Sequence, residues 1–513
     1  FSVHYVGMPI ALLHLPNEVL CHIANILGSG TLSLTCHRLW IELPRHLHYC
    51  VESKRPFDGC LAAIHQYKAI LHTFVLKVPA IQDWQKWCRV PPTSPKEVLG
   101  KEDTIELAEA LNGSLELHTI KLHFQKQLVG PGVQFFTRLH TIPKLQVLHL
   151  DLRYTRLQQG TAAALACLKR SCTLRILHLG LSNTSLGAGD AADLASLNES
   201  PTLEGLHLYL NDNQFGGGGV QTLATLRNAP SICILHLYLR NNYLGAGDAG
   251  PLGDLEGLAT LRNLHLNLTC NYLEAEDAAA LAALRGSGTV QALHLALNDN
   301  KVGPQGVEAL ALLRELHPLR SLTLELGYNN LGAGGAAPLG ALRQLPALQE
   351  LRLQLGYNDL GPESALGLAE LKACPSLGAL YLSLNNNHLR AAGVAALVML
   401  RDCSSLHTLD IDLGYNDLGE GGAQPLGLLG EHQGLRSLTL DVRNNGLGPV
   451  DVPCLATLKQ SPSLQRLLVD LRNNFLGPTD AQLFTAAPGS PSLRHLDAVW
   501  RDTNDPVAAR GWG

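Results

Sequence analysis

Leu203-Glu204-Gly205-Leu206-His207-Leu208-Tyr209-Leu210-Asn211-Asp212-Asn213 is followed 29 residues later by Ile232-Cys233-Ile234-Leu235-His236-Leu237-Tyr238-Leu239-Arg240-Asn241-Asn242. Both stretches carry leucine at positions 4, 6 and 8. A period of two buries one face of a short β-strand and turns positions 5 and 7 the other way. The asparagine at position 11 falls where the chain must turn. Its amide can bond backbone groups of its own coil and of the neighbouring coil, which leucine cannot do.

Outward from this pair, the same block runs without insertion from Leu145 to Ser492 in twelve copies of 29 residues. They begin at Leu145, Leu174, Leu203, Ile232, Leu261, Val290, Leu319, Leu348, Leu377, Leu406, Leu435 and Leu464. A 28-residue copy, Leu117 to Lys144, precedes them, giving thirteen copies over 117–492, and a degenerate one begins at Leu493. Apolar residues at positions 18, 21 and 24 have helical spacing, and Pro or Ser near position 28 ends the helix. Each coil leaves apolar surface that only a stacked neighbour can cover.

Composition fits such thin layers. The 513 residues are 46% hydrophobic but only 5% aromatic, with 49 glycines. The net charge of −5 argues against a nucleic-acid partner, which requires clustered positive charge. Twelve cysteines form no C-x-x-C pair, so neither a zinc site nor a secreted disulfide framework is expected. There is no run of about eighteen apolar residues and no secretory leader pattern, so no membrane partner and a cytoplasmic or nuclear location are expected. The phosphate-loop, H-E-x-x-H and G-x-S-x-G motifs are absent. The expectation is a chain without catalytic residues, metal or cofactor.

The block resembles the leucine-rich repeat, in its ribonuclease-inhibitor-like subclass, over residues 117–492. An extra Leu-x pair precedes the asparagine, which is similar to the longer block of protist repeat proteins. The resemblance implies an α/β fold: a leucine-rich-repeat solenoid, or horseshoe, with parallel strands on the concave face and helices on the convex face. It also implies a protein partner on the concave face.

Residues 8–50 do not follow the repeat. Leu15-Pro16-Asn17-Glu18-Val19-Leu20 opens a helix, with Pro16 and Glu18 suited to its first turn. Val19, Leu20, Ile23, Ile26 and Leu27 continue it as an amphipathic stripe. With Leu34-Thr35-Cys36-His37-Arg38-Leu39, the segment resembles an F-box. That resemblance implies that Leu15, Pro16, Val19, Leu20 and Ile23 bind the Skp-type adaptor of a cullin ubiquitin ligase and that the repeats hold its substrate. The alternative is a helical cap over the first coil. Residues 51–116 are expected to form a linker and N-terminal capping repeat, and 493–513 a C-terminal cap in which Trp500 covers exposed leucine.

Candidate partner-binding residues follow from positions 5 and 7. Position 5 gives His149, His178, His207, His236, His265 and His294 in six consecutive copies. Asp151, Tyr209 and Tyr238 lie at position 7. Further copies supply Glu325, Arg352, Tyr381, Asp410, Asp412, Asp441 and Asp470, so the inner surface divides into a His/Tyr half and an acidic half. The histidine ladder is open to three readings: duplication of one unit, amphipathic contact with a partner, or a metal or pH-sensing role. On the last, mild acidity would loosen partner binding, and equal affinity at pH 7.5 and 5.5 would exclude it. For the acidic half, Arg443 and Arg472 stand close enough in sequence to pair with the carboxylates.

Overall fold

In a computed structural model the described residues are 46–50, 54–78, 99, 101–124 and 132–500. Leu15, Pro16, Val19, Leu20 and Ile23, and the F-box-like reading with them, lie outside these residues. The described chain forms two compact units: residues up to Gln214 with Asn228–Leu237, and Phe215–Arg227 with Tyr238 onward.

In the first unit, His46–Cys50, Thr73–Lys77, Thr119–His123, Val147–Asp151, Ile176–Gly180 and Gly205–Tyr209 are parallel strands, each in register with the next. The strand after these begins at Ile234. Two strand–helix coils therefore precede residue 117, with helices Lys54–Tyr67 and Lys101–Asn112. Leu148, Leu150 and Leu152 are buried, as the alternation requires. Phe124, Phe135 and Phe136 fill the early core edge to face, at centroid distances of 6.1 and 5.2 Å.

The second unit repeats the pattern from Asn263–Asn267 through Arg466–Asp470 to His495–Val499, again parallel and in chain order. Every strand has five residues, positions 3 to 7, although the extra Leu-x pair allows a longer one. The backbone ladder nevertheless continues past the strand: the Leu326 N–H donates to Gln354 O at 2.7 Å and the Tyr328 N–H to Gly356 O at 3.2 Å. At the far end Trp500 packs edge to face on Phe484 at 5.6 Å.

The asparagines of position 11 hold successive coils together. Asn358 is buried; its Oδ1 accepts the Asn329 N–H at 2.8 Å, and its Nδ2 donates to Leu326 O at 2.8 Å and to Leu355 O at 3.1 Å. Asn271, Asn300, Asn387, Asn416 and Asn445 likewise donate to the preceding coil and to their own. In the first unit Asn213 does the same for Leu181 and Leu210. A backbone that turns inside the core thereby keeps its polar groups satisfied.

On the helical side the regularity is every third coil, a longer period than that of the 29-residue block. Gly250–Gly257, Ala337–Gln344 and Gln424–Glu431 are wholly 3₁₀, whereas the coils that follow them each contain α-helix, at Ala275–Leu281, Pro362–Ala369 and Val452–Ala456. Each of the three contains a Pro-Leu-Gly run. A Cβ on Gly253, Gly340 or Gly427 would lie 2.3, 2.1 or 2.4 Å from a carbonyl oxygen of the following coil. Backbone thus packs on backbone there, and no side chain fits. The following coils supply a fully buried polar group, Asp277, Ser364 or Asp451, that accepts backbone N–H groups of the 3₁₀ coil.

Candidate protein-binding surface

In the first unit the position-5 histidines stand on adjacent strands in direct register. His149 stacks on His178 at 5.0 Å and 14°, and His178 on His207 at 4.0 Å and 7°. His207 meets His236 edge to face, with their Nδ1 atoms 3.0 Å apart. One ring must donate there and the other accept, so the two adopt different tautomers. His123, one strand earlier, extends the row to His149 at 5.5 Å.

Asp151 lies apart from this solvent-facing row. It is 2% exposed, and Arg153 holds it through two bonds of 2.9 and 2.7 Å. The next strand carries Gly180 opposite, where a Cβ would come within 2.9 Å of Asp151 Oδ1. The missing side chain makes room for the ion pair. Tyr209 remains half-buried on the open face.

In the second unit Tyr238 leans on His265 at 4.6 Å, and His265 on His294 at 4.0 Å. His294 Nε2 then reaches Glu325 Oε1 at 2.8 Å, and Asn298 donates to its other oxygen at 2.8 Å. The His294 hydrogen bond, first of several causes, holds the Glu325 carboxyl below the usual carboxylate range. Arg352 bonds Glu350 at 2.7 Å and lays its guanidinium 3.6 Å over the Tyr381 ring. Asp410, Asp412, Asp441 and Asp470 follow on three strands. Arg472 grips Asp470 in fork geometry, and Arg443 Nε lies 3.1 Å from Asp441. Among the described residues no hydrogen bond or ion pair reaches the Asp410 carboxylate. Burial, and then repulsion from Asp412, raises the Asp410 carboxyl; burial also raises Asp412 and pushes Asp441 up to about 6. Among the described residues no group of three or more His, Cys, Asp or Glu is placed to hold a metal ion, and no helix is long and apolar enough to cross a membrane.

One set of surface residues went unread in the sequence. Position 10 has positive φ in every copy from Tyr154 to Asn473. Asn or Asp, which tolerate this backbone, occupy most copies, but Tyr328, Tyr357 and Tyr415 occupy three in the second unit at φ of 55°, 60° and 58°. They are 50%, 44% and 47% exposed, so packing does not explain an aromatic ring there. Tyr328 and Tyr357 stack at 4.1 Å and 13°. The signal was the recurring Leu-Gly-Tyr-Asn of 326–329, 355–358 and 413–416.

The ladder gives stability a pH dependence. Burial, then His178 and His123, push His149 down to about 4; Asp151 opposes this and Lys121 adds to it. His178 shifts the same way, through burial, His236 and Lys121. An unfolded histidine titrates near 6.5, so between about 4 and 6.5 the unfolded chain binds more protons. Stability is therefore full above that window and is lost as pH falls through it. Thermal melts should shift downward from pH 7.5 to 4.5, with a smaller shift for His149→Gln. Equal slopes in the two proteins would contradict this origin. At pH 5.5 His149 therefore remains neutral.

Residues 293–311 match the family described as Leucine Rich repeat. No curated protein matches the sequence. Among solved structures the chain is similar to an internalin of Listeria monocytogenes, 17% identical, covering 82% of this chain and 93% of that one, with a TM-score of 0.38. It is also similar to a leucine-rich-repeat protein of Leptospira interrogans, 20% identical, covering 88% and 95%, with a TM-score of 0.48. A third likeness is to a chain of the TLR13–ssRNA13 complex, 16% identical, covering 90% and 61%, with a TM-score of 0.44. With its in-order parallel strands, buried asparagines and helices opposite them, the chain is a leucine-rich-repeat protein with an α/β solenoid fold.

Proposed function

We propose that this chain is a non-catalytic protein-binding module of the ribonuclease-inhibitor-like type, whose open strand surface receives the partner. The observation that carries this reading is the outward row of half-buried side chains at positions 5 and 7. It is amphipathic: in the first unit His149, His178 and His207 carry it at position 5, where Asp151 and Gly180 at position 7 are buried, and in the second unit both positions contribute. Such a surface offers contact area with aromatic and charged anchors, as protein interfaces do. A helix opposite each strand supports the subclass. The net negative charge favours a protein over a polyanion.

The finer reading is a substrate receptor of a cullin-type ubiquitin ligase, held to a Skp-type adaptor by Leu15, Pro16, Val19, Leu20 and Ile23. It rests on the F-box-like sequence of residues 8–50. The full chain should co-purify with a Skp-type adaptor, and Leu20→Asp should abolish this while leaving the repeats folded. Failure of the unmutated chain to bind the adaptor removes the ligase role and leaves a scaffold whose first residues cap the solenoid.

A further inference from the structure

The tyrosines of position 10 in the second unit stand where the backbone disfavours them. Asparagine holds the same place in other coils, so the fold itself does not call for a ring. Tyr328 and Tyr357 stack on adjacent coils and Tyr415 follows two coils on, past Asn386; half-exposed aromatic rings beside an open strand face mark a contact surface. Each of the three follows a glycine at position 9, against which polar side chains pack: Asn298 at Gly327, Asn385 at Gly356, and Asp412 with Arg443 at Gly414. In the last of these coils the Gly414 N–H donates to Asp412 Oδ1 at 3.0 Å, so the carboxylate lies one residue from Tyr415. Tyr415 and the Asp412 carboxylate are thus parts of one surface.

Charge indicates the occupant. The strand face from Thr323 to Asp470 carries Glu325, Asp410, Asp412, Asp441 and Asp470 against Arg352, Arg443 and Arg472, and each arginine is already engaged. The Asp410 carboxylate has no cation bonded to it among the described residues. The molecule shows what such a surface accepts: Arg352 lies flat on Tyr381, on the strand next to Asp410. A guanidinium from outside would find the same pairing of ring and carboxylate at the tyrosine row.

Resting on the reading of this chain as a protein-binding module, we propose that the tyrosine row Tyr328, Tyr357 and Tyr415, with the carboxylates of Asp410 and Asp412, docks an extended arginine- and lysine-rich segment of the partner. The rings take the cationic side chains on their outer faces and the carboxylates pair with those that reach the strands. The same carboxylates repel a polyanion.

The test uses the full chain and a fluorescein-labelled peptide of alternating arginine and glycine, with a glutamate–glycine peptide as counterpart, read by fluorescence anisotropy. The basic peptide should bind and the acidic one should not. Tyr328→Asn with Tyr357→Asn should weaken binding at least tenfold without lowering the melting temperature, because asparagine suits the left-handed backbone better than tyrosine. Asp410→Asn with Asp412→Asn should weaken it to a similar degree. Glu308→Gln, an exposed acid on the helical side, should leave it unchanged. Full affinity in the tyrosine variant, equal loss in Glu308→Gln, or no binding of the basic peptide overturns the inference. Binding of the acidic peptide instead overturns it too, while leaving the strand face a binding surface. The broader reading fails separately, if partner capture by the full chain survives substitution of the strand face in both units.

Discussion

Asn358→Ala should cost the second unit about 3–5 kcal/mol, among the largest effects expected of a single polar side chain in this fold. The amide is 1% exposed and serves two coils at once. Its loss strands the Asn329 N–H and withdraws a donor from the carbonyls of Leu326, Leu355 and Gly356, none of which water can reach readily. A buried leucine cut to alanine costs a similar amount, about 2–5 kcal/mol, but it leaves the coil-to-coil hydrogen bonds in place. The asparagine change should therefore also reduce cooperativity, because solenoid stability is built from nearest-neighbour interfaces. Urea unfolding should show a lower midpoint together with a shallower transition. An unchanged midpoint, equal to that of the Glu308→Gln control, would mean that the ladder is not what couples the coils.

Lys459→Met should release the helix Pro478–Ala486, the last among the described residues, at a cost of about 3 kcal/mol. The Lys459 ammonium is almost fully buried, and it donates to the carbonyls of Phe484, Thr485 and Ala487 at 2.7, 2.9 and 2.6 Å. Those carbonyls belong to the helix C-terminus, which has no further turn to satisfy them and which favours a positive charge. Methionine keeps the stem and removes all three bonds. Amide exchange across residues 478–486 should rise by about two orders of magnitude, in keeping with that cost, while the strands around Leu409 keep their protection. The chain should also aggregate more readily, since Phe484, the ring against which Trp500 packs, would be uncovered. Unchanged exchange in the helix would show that packing alone holds it.

Much of this was legible in the residues. Leucine at positions 4, 6 and 8 repeated at constant length is enough to fix strand, face and stacking, because any coil with that pattern can bury its apolar side only on a copy of itself. The place and task of Asn358 and its equivalents followed from the same logic. Positions 5 and 7 were read as outward, and the neighbouring arginines as partners for the acids; Arg443 and Arg472 stand beside Asp441 and Asp470 accordingly.

The tertiary structure decided what depends on a neighbour one coil away. Asp151 has the same position as Tyr209, yet it is buried because Gly180 on the adjoining strand leaves it space and Arg153 closes over it. The tyrosines at position 10 became notable only with their positive φ and exposure in view, since a residue's backbone region is set by the turn it sits in. The three-coil alternation on the helical side likewise emerged from carbonyl oxygens lying where a Cβ on Gly253, Gly340 or Gly427 would have to go. The sequence alone determined the coil, its period and its inward face, because these rest on local alternation repeated at fixed length. Which outward side chains are open to a partner rests on distances between coils, and those exist only once the coils are stacked.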